Sequence, residues 1–143
     1  MGREVRMVPK EWEHPKDKQT GRYRPLYGSS YAAAAKEFLE MATTKGLQEA
    51  VDWMGCPDKE DYMPDWKPEE RTHLMMYEDT SEGTPISPAF ETPEEMAQWL
   101  SENGASAFGD MTASYDDWLH TCKRGYAVGM VIDKNGMRPG VSL

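Results

Sequence analysis

Long apolar runs are absent from this 143-residue sequence, and no stretch approaches the roughly eighteen consecutive apolar residues that a membrane helix needs. The opening Met1-Gly2-Arg3-Glu4-Val5-Arg6 also lacks the apolar segment of a secretory leader, so a cytoplasmic chain without membrane contact is expected. Cysteine is scarce. Cys56 and Cys122 are the two present, neither stands in a Cys-x-x-Cys pair, and both are expected as free thiols rather than as a disulfide or a zinc clamp. The three histidines (His14, His73 and His120) show no His-x-x-x-His spacing, and no metal site is expected. A Walker loop, a dinucleotide glycine fingerprint and a nucleophile elbow are missing as well. Nothing therefore points to phosphoryl transfer, serine hydrolysis or a cofactor.

Positive charge is the other deficit. Sixteen basic residues face twenty-five acidic ones, a net charge of −9 that favours solubility and repels polyanions. Direct nucleic-acid binding is not expected. The imbalance is regional: residues 1–27 carry seven basic and four acidic side chains, whereas residues 58–117 carry three basic ones (Lys59, Lys67, Arg71) against sixteen acidic, a local net of −13. Such a stretch is either a solvated face or a surface that meets a basic partner.

The length suits one domain with one core, fronted by a basic, loop-rich arm at about residues 9–28. The patterning predicts an α+β fold, a small mixed or antiparallel sheet packed against three to four short helices with a C-terminal β-hairpin. Arg3 to Val8 alternates polar and apolar residues up to Pro9 and reads as a short strand near a sheet edge. Lys16 to Gly21 reads as an exposed turn, with Trp12, Tyr23 and Tyr27 pinning the arm. A helix capped by Ser29 or Ser30 places Tyr31, Ala35, Phe38, Leu39 and Ala42 on one face and stops near Gly46. Leu47, Ala50, Val51 and Met54 form a second helical stripe. His73 to Glu78 reads as a strand with Ile86 to Phe90 returning beside it, Pro88 marking an edge. Thr92-Pro93-Glu94-Glu95 is a capping box that starts a helix with Met96, Trp99 and Leu100 inward. Tyr115, Trp118, Leu119 and Cys122 stripe another helix, and Ala127 to Val141 reads as a hairpin turning at Asp133 to Gly136.

Two sets of candidate site residues follow. The loops around Tyr77, Ser81, Glu82, Gly83, Thr84, Ser87 and Ser106 combine hydroxyls, glycines and an aromatic ring that can present themselves to a small ligand or simply close turns. The carboxylates of Asp58, Glu60, Asp61, Asp65, Glu69, Glu70, Glu78, Asp79 and Glu82 are the candidate partner-binding face. No catalytic set emerges; a hydrolase would have to rely on His73 or His120 beside an acidic residue.

Pro64-Asp65-Trp66, the run Arg71-Thr72-His73-Leu74-Met75-Met76-Tyr77-Glu78-Asp79-Thr80-Ser81-Glu82-Gly83-Thr84-Pro85-Ile86-Ser87-Pro88, the Trp99-Leu100 helix and Asn103 to Gly109 together resemble a widespread family of small uncharacterised proteins of tailed phages and prophages. The similarity extends to the opening Arg3 to Pro9 and the closing Asn135 to Val141. The family carries no established activity or catalytic residue to transfer. The resemblance implies a compact accessory protein acting on the host, its immunity or the phage's own replication. Together with the acidic middle, the leading expectation is non-catalytic binding to a host or phage protein, for instance as an inhibitor of a nucleic-acid-targeting defence of the CRISPR kind, with the acidic face standing in for phosphates. The alternatives are a binder of a small molecule or nucleotide signal and a small hydrolase. Either a monomer or a homodimer is compatible with the exposed aromatics.

Overall fold

The computed structural model describes residues 2–78 and 83–142. The fold is α+β, as the patterning predicts, and the chain divides into two compact units, Leu26–Asp65 and the remainder. The larger unit holds a four-stranded antiparallel sheet in the order β3-β2-β1-β4, built from β1 (Arg3–Val8), β2 (His73–Glu78), β3 (Thr84–Pro85) and β4 (Tyr126–Ala127). It also holds α3 (Pro93–Glu102) and α4 (Tyr115–Arg124), and a separate hairpin of β5 (Met130–Asp133) and β6 (Gly136–Pro139). The smaller unit is a helical corner of α1 (Tyr31–Lys45) and α2 (Leu47–Met54).

The register of β1 on β2 sets what each sheet face carries. Arg3 lies opposite Glu78, Val5 opposite Met76 and Met7 opposite Leu74, while Glu4 pairs with Tyr77, Arg6 with Met75 and Val8 with His73. Because successive side chains alternate, these are two distinct faces. The Val5–Met76 face packs on α3 and α4 around buried Met96, Ala97, Leu100, Ala107, Trp118, Cys122 and Val141. The Tyr77 face is covered by the N-terminal arm, whose Trp12 and His14 reach the Tyr77 hydroxyl. Burial on both faces is why β2 reads His-Leu-Met-Met-Tyr-Glu without clean alternation.

Local chemistry fixes the element ends. Ser30, Thr92 and Ser114 each cap a helix by accepting a backbone N–H three residues on, and the Thr92 hydroxyl also donates to the Glu95 carboxylate. Asp17 accepts from the N–H groups of Gln19 and Thr20, which holds its carboxyl below the usual range and closes the Lys16 to Gly21 turn.

Several expectations shift. β1 is not simply an edge strand: β4 pairs with it at Arg3 and Glu4. The strand beside β2 begins at Thr84, two residues earlier than expected, because the Ser87 hydroxyl takes the Met76 N–H and ends regular pairing; Phe90 returns only as a bridge to Leu74. Ala127 belongs to β4 rather than to the hairpin, which starts at Met130. Tyr27 does not pin the arm; it packs on Tyr62 within the helical corner. The α1 and α2 stripes bury only Phe38 and Ala50 fully, leaving Leu39, Leu47 and Val51 exposed. The corner is too small to cover a whole apolar stripe.

Candidate functional site

The candidate ligand residues separate. Asp79, Thr80, Ser81 and Glu82 lie outside the described residues. Tyr77 is fully buried on the arm-covered face. Its hydroxyl is reached by the Trp12 Nε1–H at 3.1 Å and by His14 Nδ1 at 2.9 Å, while the Arg6 guanidinium stacks 4.2 Å above its ring. Burial pushes the Tyr77 phenol above its ordinary pKa, partly offset by the Trp12 hydrogen bond and by Arg6. Ser87 accepts from Met76 N–H and donates to the Pro88 carbonyl, and Thr84 is paired to Glu78 in the sheet. Gly83 is buried with φ of 55°, a left-handed conformation that glycine adopts at little cost.

Ser106 serves Arg3, which lies on the opposite face from Tyr77. Arg3 is completely buried, and its guanidinium donates to the Ser106 carbonyl at 2.9 Å, the Ser106 hydroxyl at 3.1 Å and the Gly2 carbonyl at 2.9 Å. It also pairs with Glu78 at 3.3 Å. The Ser106 hydroxyl in turn donates to the Gly109 carbonyl at 2.6 Å. A buried cation is tolerated only when paired and hydrogen-bonded, and here Ser106 supplies two acceptors, Gly2 a third and Glu78 the counter-charge. Tyr77 and Ser106 are therefore each committed to an internal network.

The carboxylates divide as well. Asp58, Glu60, Asp61 and Asp65 belong to the helical unit, and Glu69, Glu70 and Glu78 to the larger one. Asp58 caps the short turn of Lys59–Asp61 by accepting from Glu60 N–H. Glu78 is committed to Arg3. Asp58, Glu60, Asp65, Glu69 and Glu70 are exposed, as are Glu91, Glu94, Glu95, Glu102, Asp110 and Asp116 further along the acidic stretch.

His73 is buried with Nδ1 at 2.8 Å from the Thr72 hydroxyl, and His120 is exposed on α4. Among the described residues no group of three or more His, Cys, Asp or Glu side chains is placed to hold a metal, and no helix is long and apolar enough to cross a membrane. Cys122 is buried, its thiol pushed up to about 12 by desolvation and by Glu94, so it stays protonated and unreactive.

Three features carry no sequence motif. His14 in the arm, Arg3 at the start of β1 and Trp53 at the end of α2 are a buried imidazole, a buried guanidinium and an indole that is 80% exposed. Only Trp53 could have been read from the sequence, because it falls between the polar and apolar sides of α2. No protein-family model, curated protein or solved structure matches this chain.

Proposed function

We propose that the protein acts by non-catalytic binding to a basic surface on another macromolecule, most simply a host or phage protein whose cationic channel it fills with carboxylates. The observation that carries this reading is the exposure of most of the carboxylates in residues 58–117, where three basic side chains offset sixteen acidic ones. Exposed carboxylates at this density repel nucleic acid and anionic lipid and attract cationic grooves. Among the described candidate ligand residues, Tyr77, Ser87 and Ser106 spend their polar groups on internal hydrogen bonds, which supports binding through the exposed carboxylates instead. An inhibitor of a nucleic-acid-handling enzyme fits this chemistry, because carboxylates can occupy positions where phosphates would otherwise sit.

The test is capture of partners from host lysate on tagged protein with stepwise salt elution. A stoichiometric protein released as ionic strength rises past about 0.15 M, where the Debye length is about 8 Å, is expected. Its retention should drop when Glu69 and Glu70 are both changed to lysine. A partner whose retention ignores both salt and charge reversal would rule out the acidic-face reading.

A further inference from the structure

The helical corner leaves large apolar side chains in water. Trp53 is 80% exposed, and Leu39 and Leu47 are exposed by 62% and 64%. An exposed indole is the side chain most often found to anchor a protein interface. Trp53 also has a cavity beside it, of about 110 Å³, lined with Met41, Lys45 and Glu49. A cavity of about 150 Å³ takes benzene, so this one suits an alkyl chain rather than a ring. Its walls join an indole and a thioether to one carboxylate and one ammonium.

Charge selects the occupant. The two helices carry Glu37, Glu40, Glu49 and Asp52 against Lys36 and Lys45, and residues 26–65 as a whole carry eight acidic side chains against three basic ones. Asp52 is held by Gln48 at 2.9 Å. A second copy of this chain would bring the same negative charge to the surface, and a phosphate-bearing ligand would be repelled.

We propose that the cleft beside Trp53 binds an arginine side chain presented by a basic, aliphatic segment of a partner protein. The alkyl stem lies in the cavity against Trp53 and Met41, and the guanidinium meets Glu49. Arginine fits better than lysine because its planar, weakly hydrated cation can stack on an indole while donating to a carboxylate. Leu39, Leu47 and Val51 extend apolar surface on the same two helices for the aliphatic neighbours. This inference rests on the protein-binding reading and adds an anchor outside residues 58–117.

The test uses the ¹⁵N-labelled full chain titrated with a hexapeptide of alternating arginine and leucine, following the Trp53 indole N–H resonance assigned through Trp53→Phe. A saturable shift is expected, with calorimetric affinity about fivefold or more weaker for Glu49→Gln and for Trp53→Ala. Both sites are exposed, so both variants should fold. An alanine–leucine hexapeptide should leave the resonance unmoved, and an equal shift from it would overturn the proposal. Shifts confined to residues 58–117, or no shift anywhere, would discard the arginine cleft and leave the acidic-face reading to the salt-elution experiment. Movement of the Trp53 resonance with protein concentration alone would assign the surface to self-association instead.

Discussion

His14 Nδ1 lies 2.9 Å from the Tyr77 hydroxyl, and the far nitrogen of the same ring lies 2.5 Å from the Arg24 carbonyl. A carbonyl only accepts, so Nε2 carries the proton and Nδ1 accepts from Tyr77. The Tyr77 oxygen is then free to accept from Trp12 Nε1–H at 3.1 Å. Every member of this chain is satisfied only while His14 is neutral.

Acid should therefore loosen the arm. Burial holds the His14 pKa below its ordinary 6.5, aided by Arg6 and opposed by the Arg24 carbonyl. A depressed native pKa stabilises the fold fully above the unfolded value, and that contribution is lost as pH falls through the native one. The urea midpoint of the wild type should fall between about pH 7 and pH 5 more steeply than that of His14→Gln. Parallel pH profiles for the two proteins would show that His14 is not the titrating group.

Tyr77→Phe tests the same chain without changing pH. It strips the acceptor from Trp12 and the donor from His14, each partly or wholly buried, and should cost about 1–3 kcal/mol in chemical denaturation. A loss below about 0.5 kcal/mol would mean that water replaces the hydroxyl.

Gly140 has no room for a side chain. A Cβ built there would stand 1.9 Å from the Val128 carbonyl oxygen and 2.7 Å from its side chain. Gly140→Ala should thus force the approach to the hairpin apart, costing about 1–3 kcal/mol or more, with the largest amide shifts at Val128 and Gly129.

Trp118 is fully buried in the α3–α4 core, and among the described residues its indole N–H has no hydrogen-bond partner. Trp118→Ala should cost about 3–5 kcal/mol through the cavity left behind. Trp118→Phe should cost clearly less, because it removes an unsatisfied donor along with part of the ring. Thermal denaturation of the two variants side by side distinguishes the packing and polar contributions.

Most of the architecture was legible in local signals. Thr92-Pro93-Glu94-Glu95 announced α3 through chemistry that acts within one turn, and Asp133 to Gly136 announced the hairpin the same way. What escaped depended on contacts distant in sequence. Nothing local marks Arg3 as a buried cation, since apart from the Gly2 carbonyl its acceptors sit on residue 106 and its ion-pair partner on residue 78. The hydroxyls of Ser87 and Ser106 looked available because sequence shows their chemistry but not their partners. The stripes of α1 and α2 are legible as apolar faces, but periodicity does not show what covers them, and a two-helix unit has too little mass to cover both.

The outer margin of the sheet carries a consequence for behaviour at high concentration. β3 is two residues long and ends in Pro85, which has no N–H, and the Ser87 hydroxyl then replaces a strand partner for Met76 before Pro88 follows. Among the described residues of that margin, a strand from another molecule would find no continuous row of donors and acceptors on which to extend the ladder. The buried Met75-Met76-Tyr77 run is thereby shielded from intermolecular β-stacking, a safeguard against aggregation built from two prolines and one hydroxyl.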